Sequence, residues 1–122
     1  MQVQNNIESS KELFQKAYAY FNARNIDAIL ALMKPDVVWP NGMEGGYVYG
    51  HNGVREYWTR QWNTIKPHVE PVDFEKDENG NIIVYVHQVV HDLNGDLLAD
   101  QMVKHVYALE DELVKRMEIE KI

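Results

Sequence analysis

A long run rich in β-branched residues, Ile82 to Asp92, and its partner run, Leu97 to Leu109, flank the dipeptide Asn94-Gly95. Asn-Gly between such runs is a strong hairpin signal, because both residues accept the positive φ that a tight turn demands. Val103 to Leu109 alternates apolar and polar positions, as a half-buried strand does. Glu110-Asp111-Glu112 turns the chain again, and Leu113 to Ile119 reads as a last strand. Leu109, Leu113 and Met117 also fit a helical stripe, with Glu112 and Arg116 as its ion pair. The clean alternation upstream favours the strand. Before the hairpin, Val69 to Phe74 is a further strand, and Pro71 marks it as an edge. Asp77-Glu78-Asn79-Gly80 closes it with a turn. The second half of the chain must therefore build an antiparallel sheet.

The first half has a different period. Residues 1–8 are polar apart from Val3 and Ile7 and are expected to fray. Ser9 with Glu12 fits a capping box, and Leu13, Phe14, Ala17, Tyr18 and Phe21 recur at helical spacing. The spacing predicts a helix over 10–24. Asn25 caps a second, shorter helix with Ile26, Ile29, Leu30 and Met33 on its face, ended by Pro35. Asp36 to Trp39 is a short strand, and Tyr47 to Tyr49 a brief extended piece. Asn52 caps a third helix, whose apolar face carries Val54, Tyr57, Trp58, Gln61, Trp62 and Ile65; Pro67 stops it. Segregated helices and antiparallel strands give an α+β domain. It has three N-terminal helices packed on a curved, mainly antiparallel sheet, one domain over residues 1–122.

Val37 to Trp62 holds all three tryptophans, three of the seven tyrosines and five of the seven glycines. Rigid aromatic area beside a freely bending backbone suits a ligand-binding pocket with an irregular wall. Composition narrows what enters it. The net charge of −7 argues against nucleic acid. No apolar run approaches the ~20 residues of a membrane span, and no basic-then-apolar leader opens the chain, so the expected location is cytoplasmic. With no cysteine, disulfides, thiolate nucleophiles and cysteine–zinc sites are excluded.

Hairpin register decides which polar groups face inward. A two-residue turn puts Gln88 opposite Gln101 and Val84 opposite His105. A three-residue loop puts His87 opposite Gln101 and Ile83 opposite His105, and a slip of one residue turns a strand over. In both, Gln101, Val103, His105 and Tyr107 share a face, taken here as inward. His105 titrates near neutrality and serves as acid, base or donor, or else is a bonded structural histidine. His87 and His91 share a strand face ~13 Å apart, too far for one ion. No metal and no cofactor are expected. His51 is a loop residue in this reading, and Asp92, Asp96 and Asp111 belong to turns.

The order of elements resembles the NTF2-like, or cystatin-like, α+β cone, and within it the SnoaL-like proteins. Tyr20 to Ile29 (YFNARNIDAI), Leu32 to Trp39 (LMKPDVVW), Gly50 to Trp58 (GHNGVREYW) and the pair His105–Leu109 with Leu113-Val114 carry the likeness. The resemblance implies a small-molecule pocket inside the cone. In the ketosteroid isomerase-like branch a carboxylate base follows the first strand; Asn41 stands there, and an amide takes no proton at neutral pH. That branch's tyrosine on the first helix aligns with Ala17, one position from Tyr18. Its late-strand protonated aspartate falls near His105. The acid–histidine pair of SnoaL-like cyclases finds its match in His105 and Asp100. The expected catalytic set is thus His105, Asn41 and Asp100. Tyr18, Trp39, Tyr47, Trp58, Trp62, His87, Gln88, Gln101 and Tyr107 would bind ligand. The expected activity is cofactor-independent acid–base chemistry, of cyclase, isomerase or dehydratase type, on a small, mostly apolar carbonyl compound. The other reading is a non-catalytic ligand-binding or association domain. A homodimer through the outer sheet face is expected, because Met102, Val106 and either Tyr85 and Val89 or their neighbours would leave that face apolar.

Overall fold

The long hairpin forms as its turn signal requires, and the other elements assemble around it. In the computed structural model, which describes residues 7–122, the elements in order are α1 (Ile7–Asn22), α2 (Ile26–Leu30), β1 (Met33–Pro40), β2 (Tyr47–Tyr49), α3 (Gly50–Trp62), β3 (Ile65–Lys76), β4 (Ile82–Asp92), β5 (Leu97–Glu110) and β6 (Leu113–Lys121). One six-stranded sheet runs β2-β1-β6-β5-β4-β3. Every neighbouring pair is antiparallel except β1 with β6, which is parallel. The α+β class, the strand at the C-terminus and the edge position of the strand bearing Pro71 are as the sequence predicts. No helix of the described residues is long and apolar enough to cross a membrane.

Both expected registers occur. The turn is the three-residue one: Asp92 N–H donates to the Asp96 carbonyl at 2.8 Å, and Gly95 takes a φ of 92°. His91 therefore faces Leu97. An irregularity just beyond shifts the pairing back, so Val84 faces His105 and Gln88 faces Gln101. This bulge returns Gln88 to the inner face and turns His87 outward.

Several boundaries differ from expectation. α1 already includes Ile7, the first described residue, so Ser9 lies inside it and is not its cap. Ile7 packs against the core, and that burial favours helix upstream of Ser9. The expectation for residues 1–6 lies outside the described residues. Asn25 does cap α2, its Oδ1 accepting the Ala28 N–H at 3.2 Å. α2 ends at Leu30 and not at Pro35, because β6 captures the chain: the Leu32 carbonyl accepts the Val114 N–H at 2.9 Å. Pro35, lacking an N–H, falls in the irregular stretch of the β1–β6 pairing. α3 starts two residues before Asn52. Pairing of β2 with β1 holds the chain extended to Tyr49, and Gly50, at φ 73°, turns it straight into the helix. A Cβ at Gly50 would stand 3.2 Å from the Pro35 carbonyl oxygen. His51, expected in a loop, lies in the helix's first turn and bonds the Met33 carbonyl at 3.0 Å. α3 ends at Trp62, ahead of Pro67, which lies in β3.

The helices cover the inner face of the sheet. Phe14 of α1, Val54 and Trp58 of α3, and Val37, Val84, Val86 and Met117 of the strands are the most deeply buried side chains. The end of α1 is fastened to edge strand β3 by Asn22, whose amide donates to the Val69 carbonyl at 2.8 Å and accepts its N–H at 3.0 Å. The helix-covered concavity lies between α1, α3 and the inner face of the sheet.

Candidate functional site

The concavity holds a cavity of about 90 Å³, room for roughly three waters at ~30 Å³ each. Its walls are Phe14, Tyr18 and Phe21 from α1, Trp39 from β1, Tyr57, Trp58 and Gln61 from α3, and Gln88, His105, Tyr107 and Met117 from the sheet. Helical spacing puts the α1 residues on one stripe, and strand alternation puts His105 and Tyr107 two apart on the inner face. The rings interlock edge to face: Trp39 on Trp58 at 5.3 Å, Phe21 on Trp58 at 5.4 Å.

Tyr18 joins the polar groups. Its hydroxyl lies 2.7 Å from His105 Nδ1 and 2.8 Å from the Tyr107 hydroxyl. Burial lowers the His105 pKa to about 4, so the ring is neutral at pH 7. Burial also raises Tyr18 and Tyr107 well above the usual phenol range, and each phenol adds to or moderates the other's shift. The trio therefore stays uncharged. It carries three hydrogens, two phenolic and one on the imidazole, and makes two hydrogen bonds. One hydrogen is always left over. It sits on His105 Nε2 when Tyr107 donates to Tyr18 and Tyr18 to Nδ1. It sits on the Tyr107 hydroxyl when the bonds run the other way. Both ends border the cavity. His105 Nε2 has no partner among the described residues and is not among their fully buried unpaired atoms.

The other expected residues divide. Trp39, Trp58 and Gln88 line the cavity. Gln101 stands beside them, donating to Gln88 Oε1 at 3.1 Å, but is exposed and forms no wall. Trp62 packs behind the wall on Trp58, under the Arg24 guanidinium, with its Nε1 buried and unpaired. Asn41 is placed outside the cavity. Its Oδ1 accepts the Met43 and Glu44 N–H groups and its Nδ2 donates to Glu44, so its amide serves its own turn. Tyr47 is on the surface, donating to Glu118 at 2.7 Å. His87 and Asp100 pair at 2.7 Å on the outer face. The structure thus brings His105 together with neither Asn41 nor Asp100. Among the described residues no carboxylate lines the cavity, and no cluster of three metal-ligating side chains occurs.

Sequence reasoning placed Phe14, Phe21, Tyr57 and Gln61 on helix faces and named none of them as a site residue. The signal for Gln61 was present: one amide on an otherwise aromatic helix face. The Tyr18–His105 bond spans 87 positions, and only the fold could reveal it.

The sequence matches the SnoaL-like domain over residues 14–117. The chain belongs to the SnoaL-like family. Solved structures agree with this SnoaL-like assignment. TerC, co-crystallized with polyporic acid, is 29% identical, with a TM-score of 0.78 over 91% of this chain and 89% of its own. An NTF2-like protein of unknown function from Burkholderia pseudomallei is 25% identical, with a TM-score of 0.80 over 98% and 92%. A candidate polyketide cyclase from Xanthomonas campestris pv. campestris shares the fold at 20% identity and a TM-score of 0.76 over 94% and 91%. No curated protein matches this SnoaL-like chain.

Proposed function

We propose that this chain is a cofactor-independent acid–base enzyme of isomerase or cyclase type that moves a proton on a small, flat, mostly apolar carbonyl compound. The observation carrying this is the Tyr18–His105–Tyr107 chain with both ends on one aromatic cavity. The step balances without a carboxylate. His105 Nε2 takes the proton from the carbon beside the carbonyl. Nδ1 passes its proton to Tyr18, Tyr18 passes its own to Tyr107, and Tyr107 protonates the carbonyl oxygen. The C–H electron pair becomes the new C=C bond of the enol, and the trio ends in its other hydrogen-bond direction. Concerted transfer avoids a free phenolate, which burial makes costly. The co-crystallization of TerC with polyporic acid supports an organic small molecule as the ligand. The ligand displaces water and spreads the aromatic walls, since 90 Å³ is less than the ~150 Å³ cavity that admits benzene.

Deuterium exchange at C2 of indan-1-one in D₂O, followed by NMR, tests the relay. Wild type should speed exchange above buffer. His105→Gln and Tyr107→Phe should each fold and lose about 10²-fold of that rate. Full activity in Tyr107→Phe would leave His105 as a lone base and end the relay. The absence of a carboxylate from the walls favours a second reading, non-catalytic ligand binding; indan-1-one bound without faster exchange would establish it.

The family's small-molecule role extends to a partner. Ile83, Tyr85, Val89, Met102 and Val106 share the outer sheet face, with Met102 41% exposed, and we propose that a second copy covers them. A light-scattering mass near 14.3 kDa at micromolar concentration would refute this.

A further inference from the structure

We propose that the turns of the β3–β4 and β4–β5 hairpins are sites of spontaneous covalent change. Asn79 and Asn94 lose ammonia and become aspartate or isoaspartate, whereas Asn41 and Asn52, which also precede glycine, keep their amides.

Four Asn-Gly pairs occur in this chain: Asn41-Gly42, Asn52-Gly53, Asn79-Gly80 and Asn94-Gly95. Glycine has no side chain to shield its nitrogen, so that nitrogen can attack the side chain before it. It gives up its proton to solvent, and its electron pair forms a bond to the asparagine Cγ. The Cγ–Nδ2 bond breaks, and Nδ2 takes a proton from water and leaves as ammonia. A five-membered succinimide remains, which water opens. Addition of water at Cγ leaves aspartate. Addition at the main-chain carbonyl carbon leaves isoaspartate, whose main chain runs through Cβ and Cγ and is one atom longer.

Backbone freedom selects among the four, because the nitrogen must swing toward Cγ. The two hairpin turns are built alike. Asp77 Oδ1 accepts the Asn79 and Asn81 N–H groups, both at 2.9 Å. Asp92 Oδ1 accepts those of Asn94 and Asp96 at 2.8 and 3.0 Å. Gly80 and Gly95 follow at φ 84° and 92°, with open space where a Cβ would stand. Both asparagines are exposed, and their amides bond nothing among the described residues. Each glycine N–H has one bond, 3.1 Å to the Asp77 or Asp92 carbonyl. Such an exposed turn opens without disturbing the core.

The other two pairs are held. Asn41 Oδ1 accepts two N–H groups and Nδ2 donates to Glu44, while the Gly42 nitrogen is tied to the Tyr57 hydroxyl at 3.0 Å. Asn52 and Gly53 lie inside α3, whose hydrogen-bond ladder fixes the backbone. Of the two reactive sites, Asn94 has the wider reach. Isoaspartate there lengthens the turn beside the bulge that sets which face each β4 residue takes.

Peptide mapping by mass spectrometry, after incubation in mildly alkaline buffer, reads all four sites in one sample. Unfolded in guanidinium chloride, the four should react alike. Folded, Asn79 and Asn94 should run at least about tenfold ahead of Asn41 and Asn52, the worth of opening a few hydrogen bonds. Glu44→Ala, which frees one end of the Asn41 amide, should speed Asn41 and leave Asn52 slow. Either turn lagging with Asn52, Asn41 or Asn52 keeping pace with the turns, or no gain at Asn41 in Glu44→Ala overturns the assignment. The isoaspartate-94 fraction should also melt below Asn94→Asp, which carries the same charge on a main chain of normal length; equal melting overturns the effect on the hairpin.

Discussion

His105 and His87 stand on neighbouring strands, yet their surroundings have almost nothing in common. His105 points inward, 6% exposed, bonded to a phenol and faced by no carboxylate among the cavity walls. His87 points outward beside Asp100, with Met102 opposite and Glu70 across on β3. The difference is parity. Strand residues alternate faces, so an odd or even place in the pairing decides whether an imidazole is a dry neutral relay or a solvated partner of an acid. What sets the parity is the small irregularity beside the Asn94-Gly95 turn. The same side chain supplies reactive chemistry on one face and only a weak surface bond on the other.

Acid should separate the two histidines most widely. His105 is held near pKa 4 in the folded chain against 6.5 when unfolded, so its folded pKa is depressed. The unfolded state then binds the extra proton first. Stability attributable to His105 is complete above pH 6.5 and falls as the pH drops toward 4. Below 4 the folded ring also protonates and the loss levels off. The 2.5-unit gap amounts to about 3 kcal/mol. Urea unfolding at pH 7 and pH 4 should show that share of the loss vanishing in His105→Gln and persisting in His87→Gln. Equal pH dependence in wild type and His105→Gln would contradict the burial that defines the inner site.

A smaller effect is expected from Tyr18→Phe, which keeps the ring and removes the link between His105 and Tyr107. Two buried groups lose a partner, and the melt should report a loss of about 1–2 kcal/mol. Proton exchange on indan-1-one should fall far more than the melt alone explains, because the relay is cut in its middle. A destabilised variant with undiminished exchange would reduce Tyr18 to a structural prop.

How much of this was legible in the residues follows from the range of each interaction. Asn94-Gly95, Asn25 and the alternation of β5 are local signals, and they located the hairpin, the second helix and the inner face. Helix starts were harder to read. Ser9 and Asn52 are good caps by type, but Ile7 packing and the β2–β1 pairing with Gly50 moved both starts upstream. Pro35 looked like a terminator because β6, the parallel partner of its strand, lies about eighty residues away. The site split in the same way. His105, Tyr107, Trp39 and Trp58 reached the cavity because alternation and helical spacing place them there. Asn41 and Asp100 entered through family likeness, which transfers positions without their surroundings. Asn41 instead folds its own turn, and Asp100 lies one residue out of phase with the inner face. Gln61 was legible as one amide on an otherwise aromatic helix face, but its place in the cavity wall follows from the fold.

The outer pair should give the smallest effect of all, and that makes it the sharpest control. His87 Nε2 and Asp100 Oδ1 are 2.7 Å apart, a shorter contact than many buried ones. Distance alone would suggest a strong interaction, and a His–Asp pair in sequence invites a catalytic reading. Exposure argues otherwise: the two side chains keep 44% and 54% of their area in solvent. Water solvates either partner when the bond opens, and ordering both side chains offsets most of what the bond contributes. Asp100→Asn should therefore cost no more than about 0.5 kcal/mol, shrinking further in high salt. It should leave indan-1-one exchange unchanged, because the sheet backbone separates this face from the cavity. A tenfold fall in exchange on replacing Asp100 would mean that charge on the outer face reaches His105 through the sheet, and the division between the two faces would no longer hold.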